Sequence, residues 1–332
     1  MRTRIANLVG IGRASLADLE INVRFAGMRD DRLILIETRA RLKYMSHARM
    51  ESLLRVDVGR PQNELQTYGD LGTLVRRMLL VQISDIHCGP IFLKETFRVA
   101  VKEINGMSPD VVLVTGDLTE NGLISEFKMA AKELRKLQAK KIIYVSGNHD
   151  YRSTGYLLFK EFFPFSQVTD LDDVVITVLS SARPDRDDGE VGHRQNLWLE
   201  NTLEKYADKV KIVAIHHHVI PVPDTGADQI TVVDSGDSLR SLIKSKVDLV
   251  LCGHRHRPWK WRIEDMLVVH AGSVSCEKLR GFFCNSYNVI TINRKQIEAK
   301  LKIVNGEFVD FNEIVKRREI LQASDISQFS DS

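Results

Sequence analysis

Five short apolar runs in this chain each stop at a cluster of His, Asp and Asn, and that repeated ending constrains the fold more than any other feature. The endings are Asp85-Ile86-His87, Gly116-Asp117, Gly147-Asn148-His149-Asp150, His216-His217-His218 and Gly253-His254-Arg255-His256. The runs before them (79–85, 110–117, 141–148, 211–218 and 248–254) have the length and Val/Ile/Leu content of buried strands. A sixth such run covers 174–181. Segments with helical spacing alternate with them, at 95–107, 123–137, 195–206 and 238–246. Over 123–137, for example, Leu123, Phe127, Ala130, Ala131, Leu134 and Leu137 share one side. Strands alternating with amphipathic helices predict a layered α/β domain. In open sheets of that class the carboxyl ends of strands gather at one edge, where ligands bind. The five polar clusters should therefore meet. Farther on, HRPWKWRIE, MLVVHAGSV, SYNVITIN and QIEAKLKIV predict an antiparallel sheet that finishes the domain, then a helix over 311–322 and a polar tail, 323–332.

The content of the clusters defines their chemistry. Seven of the ten histidines lie in them. Asp85, His87, Asp117, Asn148, one of His216–His218, His254 and His256 make seven donors suited to Zn, Mn or Fe. One ion rarely takes seven ligands that include four imidazoles. Two ions sharing one carboxylate would use them four apiece. Such pairs sit about 3.5–4 Å apart, hold a bridging hydroxide and clamp the entering and leaving oxygens of an in-line displacement at phosphorus. Glycines at 116, 147 and 253 permit tight turns where backbone and metal come close.

The blocks DIH, GDLTENG, GNHD, HHH and GHRH, in this order, resemble the DxH, GDxx, GNH[DE], lone-His and GHxH pattern of the calcineurin-like metallophosphoesterase superfamily. The resemblance covers roughly residues 78 to 300. It implies a layered sandwich of two mixed β-sheets flanked by helices. It also implies that Asp85, His87 and His256 hold a first metal, that Asp117 bridges, and that Asn148, His216 and His254 hold a second. The metals would be two divalent ions from among Mn, Fe, Zn and Co, and the hydroxide between them would attack phosphorus, with Asp117 and Asn148 shaping the catalytic centre. His149, free of metal in this scheme, would protonate the leaving oxygen or bind the phosphate. Neighbours on a strand point to opposite faces, so only one residue of the HHH run should reach a metal. HHHVIP matches the family's HHPPLP-like run without a gap, which selects His216 and leaves His217 as the rival.

Within the superfamily, GDLTENG lacks the Asp-Arg of the GDxxDRG run of Ser/Thr protein phosphatases. Gln195-x-x-Trp198-Leu199-x-x-x-Leu203, and GDLT followed by Gly122, are similar to runs in class III cyclic nucleotide phosphodiesterases and their glycerophosphodiesterase relatives. The expected activity is hydrolysis of a small-molecule phosphodiester, a cyclic nucleotide or a glycerophosphodiester. A nuclease or phosphomonoesterase is the enzymatic alternative, and a catalytically inactive binding scaffold the alternative of another class. Arg255 is expected to be structural or solvated, Cys88 and Cys252 to be buried filler, and His193 and His270 to be structural or surface residues.

Composition bounds the rest. The chain has 332 residues, 43% hydrophobic and 27% charged, with a formal net charge of +3. That is ample for a buried core and excludes collagen-like and disordered classes. Four cysteines, at 88, 252, 276 and 284, form no CxxC or disulfide-like framework. No apolar stretch long enough for a transmembrane helix and no secretory leader is evident, so the cytoplasm is the expected location. Charge is uneven: residues 1–77 carry 13 Arg and 1 Lys against 9 acids, a net of +5, whereas the remainder carries a net of −2. Either 1–77 is an accessory segment, with LEINVRFAG and RLILIETRARL as strands, or Met78 is the true start; a basic patch for an anionic partner, lacking interleaved aromatics, is the weakest of the three readings. An acidic balance from Met78 onward disfavours nucleic acid as a partner. The oligomeric state is left open.

Overall fold

The computed structural model describes residues 19–29, 32–42, 77–226 and 232–314. The chain divides into two units, Met1–Leu74 and Val75–Ser332. In the first, β1 (Leu19–Arg29) and β2 (Arg32–Leu42) pair antiparallel from Leu19↔Leu42 to Arg29↔Arg32, with irregularities around Phe25. These are the two runs expected as strands; the turn expected between them lies outside the described residues.

The second unit is built on two six-stranded sheets. In chain order its strands are β3 (Met78–Ile83), β4 (Val111–Thr115), β5 (Lys141–Val145), β6 (Val168–Leu171), β7 (Val174–Val178) and β8 (Val210–Ala214). They continue with β9 (Leu249–Cys252), β10 (Trp259–Ile263), β11 (Met266–His270), β12 (Ser286–Asn293), β13 (Gln296–Ile303) and β14 (Phe308–Val309). One sheet runs β14-β13-β12-β3-β4-β5 and the other β10-β11-β9-β8-β7-β6. Both are mixed: β3, β4 and β5 are parallel neighbours, as are β7, β8, β9 and β11, and the other pairings are antiparallel.

Period-two alternation in strands buried on both faces explains the layers. In β4, Val111 and Leu113 face the other sheet and meet Ile176, Ile212, Leu251 and Val269, while Val112 and Val114 face outward. Helices α1 (Lys94–Met107), α2 (Ile124–Leu134) and α3 (Gly155–Phe162) cover that outer face through Phe97, Ile104, Phe127 and Phe159. On the second sheet, Val175, Val213 and Val250 are covered by Leu199 and Leu203 of α4 (His193–Leu203) and Leu242 of α5 (Ser235–Lys244). The expected sandwich of two mixed sheets flanked by helices is therefore the observed architecture.

A buried polar network fixes the two sheets against each other just below the polar clusters. Gln82 of β3 donates to the Thr115 hydroxyl at 3.1 Å and to the Cys252 carbonyl, on the other sheet, at 3.0 Å. Asn288 of β12 donates to Gln82 Oε1 at 2.9 Å and to the His270 carbonyl at 3.3 Å. All five residues are out of water, so each bond carries the cost of leaving its partner unpaired.

Two expectations need correction. The four late strands do not form one antiparallel sheet. β10 and β11 extend the second sheet, with β11 parallel to β9, and β12 and β13 extend the first. Leu267 and Val269 enter the core between the sheets while Met266 and Val268 pack beneath α5, a burial that a two-faced solvent-exposed sheet would not supply. Helix α3 and strand β6 occupy a stretch, 155–171, in which the sequence pattern predicts no element. Of the helix expected over 311–322, a helical turn at 311–314 is seen; the remainder and the tail 323–332 lie outside the described residues. No helix among the described residues is long and apolar enough to cross a membrane.

Candidate metal centre

Each cluster starts within two residues of a strand's carboxyl end, where the backbone leaves the sheet. It leaves in an unusual way. Asp85, His87, Asp117, His254 and His256 have φ of +54°, +52°, +51°, +76° and +53°, in the left-handed region. A side chain there costs roughly 1–2 kcal/mol per residue, and such strain persists only where surrounding bonds over-determine it. Here Asp85 N–H donates to the Gly116 carbonyl at 3.0 Å, His87 N–H to the Asp117 carbonyl at 2.9 Å, and His254 N–H to the Asp85 carboxylate at 3.0 Å. Two glycines are required by close approach. A Cβ at Gly116, whose φ is +95°, would lie 2.3 Å from His216 Nδ1, and one at Gly147 would lie 2.1 Å from Asp117 Oδ1.

The seven expected donors are brought together, all of them buried. His256 Nε2 lies 2.9 Å from His87 Nε2 and 3.3 Å from Asp85 Oδ1. Asn148 Oδ1 lies 3.1 Å from His216 Nε2 and 3.0 Å from His254 Nδ1. Asp117 Oδ2 stands between the two groups, 3.7 Å from His87 Nε2 and 3.3 Å from His216 Nε2. His217 turns elsewhere: its Nδ1 meets the Ser181 hydroxyl at 2.8 Å and its Nε2 the Asp187 carbonyl at 3.2 Å. Of the two rivals, His216 is the one that meets Asp117 and Asn148.

Whether a cation suits this cluster follows from where the ring protons sit. His87 Nδ1 bonds to Glu120 Oε2 at 2.6 Å, His216 Nδ1 to the Thr115 carbonyl at 2.8 Å, and His256 Nδ1 to the Lys278 carbonyl. Those partners can only accept, so Nδ1 carries a hydrogen and the Nε2 atoms of all three rings point inward, each a ligand atom once its ring is neutral. The Nε2 atoms of His87 and His256, 2.9 Å apart, share either a proton on one ring or a metal ion held by both. His254 Nε2 is buried without a partner among the described residues. Burial opposes charge on His216 and His256, yet Asp117 lifts the first to about 9 and Asp85 lifts the second to about 10. A buried cluster that draws in positive charge this strongly, from N and O donors, fits divalent ions.

His149 stands at the rim, its ring edge-on to His87 with centroids 4.5 Å apart. Its N–H donates to Asp117 Oδ1 at 2.9 Å, and its Nδ1 donates to the Glu120 carbonyl at 2.7 Å. A cleft of about 200 Å³ opens over these groups, with Arg152, Asp187, Lys278 and Arg280 on its walls. Four residues that sequence reasoning assigned no role belong to this site. Glu120 holds His87 and lies 3.3 Å from His149; burial acts against its charge, but hydrogen bonds from His149 and His87 outweigh it and hold its carboxyl well below the usual range. Asp150 accepts from Leu118 N–H, Thr119 N–H and the Thr119 hydroxyl, each at 2.9 Å, and from Gly147 N–H at 2.9 Å, clamping the β4 loop to the β5 loop. The position of Asp150 within GNHD was a usable signal. Asp187 and Lys278 carried none, because both sit in connections without a motif. Arg255 is buried and bonds the Thr225 hydroxyl and carbonyl, a structural part, and Cys88, Cys252 and His270 are likewise buried.

Two stacked mixed sheets that deliver a buried His/Asp/Asn cluster to one edge define a metal-dependent phosphoesterase. Residues 78–258 match the family model of the calcineurin-like phosphoesterases, and the chain belongs to that family. It is a hydrolase acting on phosphoric ester bonds, and its family implies divalent metal ions. The probable glycerophosphodiester phosphodiesterase GpdQ of Arcobacter nitrofigilis is 29% identical over 217 residues, which cover 60% of this chain and 79% of that protein. A probable cyclic nucleotide phosphodiesterase of Rhodococcus erythropolis is 30% identical over 193 residues, covering 53% of this chain and 64% of that one. Among solved structures, the purple acid phosphatase PPD1 of yellow lupin superposes with a TM-score of 0.58 at 16% identity, over 71% of this chain and 53% of that one. A dimetal phosphatase of Danio rerio gives 0.53 at 13% identity, over 70% and 98%. These two likenesses concern the fold.

Gly116→Ala tests the close approach. The added methyl meets the His216 ring in a backbone region hostile to side chains, so bound metal per chain, measured by mass spectrometry after dialysis, should fall and the affinity should weaken about 10–100-fold. Far-ultraviolet circular dichroism should stay unchanged. Full metal occupancy in the variant would contradict the geometry.

Proposed function

We propose that this protein hydrolyses a small-molecule phosphodiester at a dinuclear metal centre. The observation that carries the reading is the pair of donor sets sharing Asp117. Asp85, His87 and His256 would hold one ion, Asn148, His216 and His254 the other, and Asp117 would serve both. Divalent ions from among Mn, Fe, Zn and Co would polarise the phosphoryl oxygens and make water nucleophilic at neutral pH. The relatives named as glycerophosphodiester and cyclic nucleotide phosphodiesterases support a diester substrate of one of these kinds. The cleft walls favour the first. Apart from histidines, its lining among the described residues is polar or charged without an aromatic ring, which suits a hydroxylated ester better than a stacked base.

His149 completes the reaction. With its Nδ1 engaged by Glu120, its Nε2 remains for the leaving oxygen. Burial works against its charge, but Asp117 and Glu120 outweigh burial and raise its pKa, a shift toward the protonated ring that a leaving alkoxide needs. Residues 78–322 are proposed as the catalytic unit, supported by a first core strand and a family match that both begin at Met78, with 1–77 as an accessory segment.

Four measurements test these statements. Bis(p-nitrophenyl) phosphate should be cleaved faster than p-nitrophenyl phosphate in added Mn²⁺, and Asn148→Ala should abolish turnover while leaving the fold intact; an unchanged rate in the variant would sink the assignment. His149→Ala should lower kcat by about 10²–10⁴ on alkyl esters and far less on p-nitrophenyl esters, whose leaving group needs no proton. Equal losses on both would remove the general-acid role. A chain beginning at Met78 should keep the diesterase rate within about twofold and the same melting temperature, as expected of an accessory segment. Collapse of either would make residues 1–77 part of the enzyme.

A further inference from the structure

Beyond the metal donors, the cleft carries three cations whose situations differ. Arg152 lies 3.2 Å from the Asp187 carboxylate, and Lys278 lies 3.5 Å from Glu120. Arg280 is exposed on the cleft wall and pairs with no carboxylate of the described residues. The connection between β11 and β12 that bears Lys278 and Arg280 is also firmly tied. Glu277 N–H donates to the Ile91 carbonyl at 3.0 Å, and Lys278 N–H to Cys276 Sγ at 3.3 Å. The Lys278 carbonyl accepts from His256 Nδ1, and the Gly281 carbonyl accepts from the buried guanidinium of Arg257, which also reaches Asp224 at 3.2 Å. Gly281 has φ of +60°, and a Cβ there would lie 3.2 Å from Arg257 Nε, so the turn fits only glycine without a shift. Two consecutive residues, His256 and Arg257, thus anchor the carbonyls on either side of Arg280. The backbone that bears Arg280 is fixed by the same segment that supplies His256, and its exposed side chain lines the cleft.

A guanidinium without a carboxylate, held beside a site for phosphoryl oxygens, lacks the anion its geometry is suited to take, and two parallel N–H···O bonds to phosphate are its best match. Building on the phosphodiesterase reading, we propose that Arg280, with Lys278 beside it, forms a subsite for a second phosphoryl group adjoining the scissile one. Among the glycerol esters favoured above, those joined through a pyrophosphate link are then preferred, and Arg280 determines specificity without taking part in bond cleavage. Water attacks one phosphorus, the bridging oxygen leaves with the other phosphoryl group, and two phosphomonoesters result.

Two substrates that both release glycerol 3-phosphate make the test: glycerophosphoglycerol, with one phosphoryl group, and CDP-glycerol, with two. Rates are measured on the full chain in Mn²⁺. The wild type should have the higher kcat/KM on CDP-glycerol. Arg280→Gln should lower the ratio of the two kcat/KM values about tenfold, through KM, in line with the loss of one charge-assisted bond, and Arg280→Lys should restore part of it. A wild-type ratio below one, or a ratio that Arg280→Gln leaves unchanged, overturns the subsite while the phosphodiesterase reading stands. A wild type that cleaves neither substrate nor bis(p-nitrophenyl) phosphate overturns that reading and the subsite with it.

Discussion

Imidazole lone pairs and carboxylates, buried and turned toward one another, are the interaction on which the rest of this structure depends. His87 and His256 present Nε2 atoms 2.9 Å apart, and Asp117 faces both His87 and His216. In water such groups would separate. Here each ring is held from behind, by Glu120, Thr115 or Lys278, so no rotation relieves the crowding. The arrangement is paid for in left-handed backbone at five of the clustered positions, and it suits the divalent ions that the family implies.

The double-sheet architecture is what makes this convergence possible. Asp85, His87, Asp117 and Asn148 follow strands of one sheet, while His216, His254 and His256 follow strands of the other. Neither sheet alone supplies both donor groups. The Gln82–Asn288 network joins the sheets immediately beneath the site, at hydrogen-bond distances to Thr115, Cys252 and His270. A slip of one sheet against the other would therefore break buried bonds and part the donors together. Stability of the core and geometry of the site are coupled through the same few groups.

Buried arginines show a second use of the donor segment. Arg255 and Arg257 flank His256, and each is spent on backbone carbonyls, of Thr225 and Gly281 respectively. They fix the connections that border the cleft. Charge in the site is thereby sorted by depth: acids and imidazoles at the floor, structural guanidiniums behind the ligand segment, and cations at the rim.

The chain of strands and helices from Met78, the edge at which the polar clusters meet and the seven side chains that converge there were all legible in the sequence, because they depend on local period and on the rule that parallel strands end together. The preference for His216 over His217 came only through a run of neighbouring residues, and in the fold His216 is the one of the two that lies 3.3 Å from Asp117. Tertiary structure decided what depends on contacts distant in sequence. The late strands divide between two sheets because burial of β11 beside β9 outweighs the hairpin preference of adjacent segments. Glu120 could be seen as one more acid, but its hold on His87 and His149 exists only once three loops are packed together. Asp187, Lys278 and Arg280 carry no pattern at all, since a side chain in a connection acquires its role from where packing places it rather than from what precedes it.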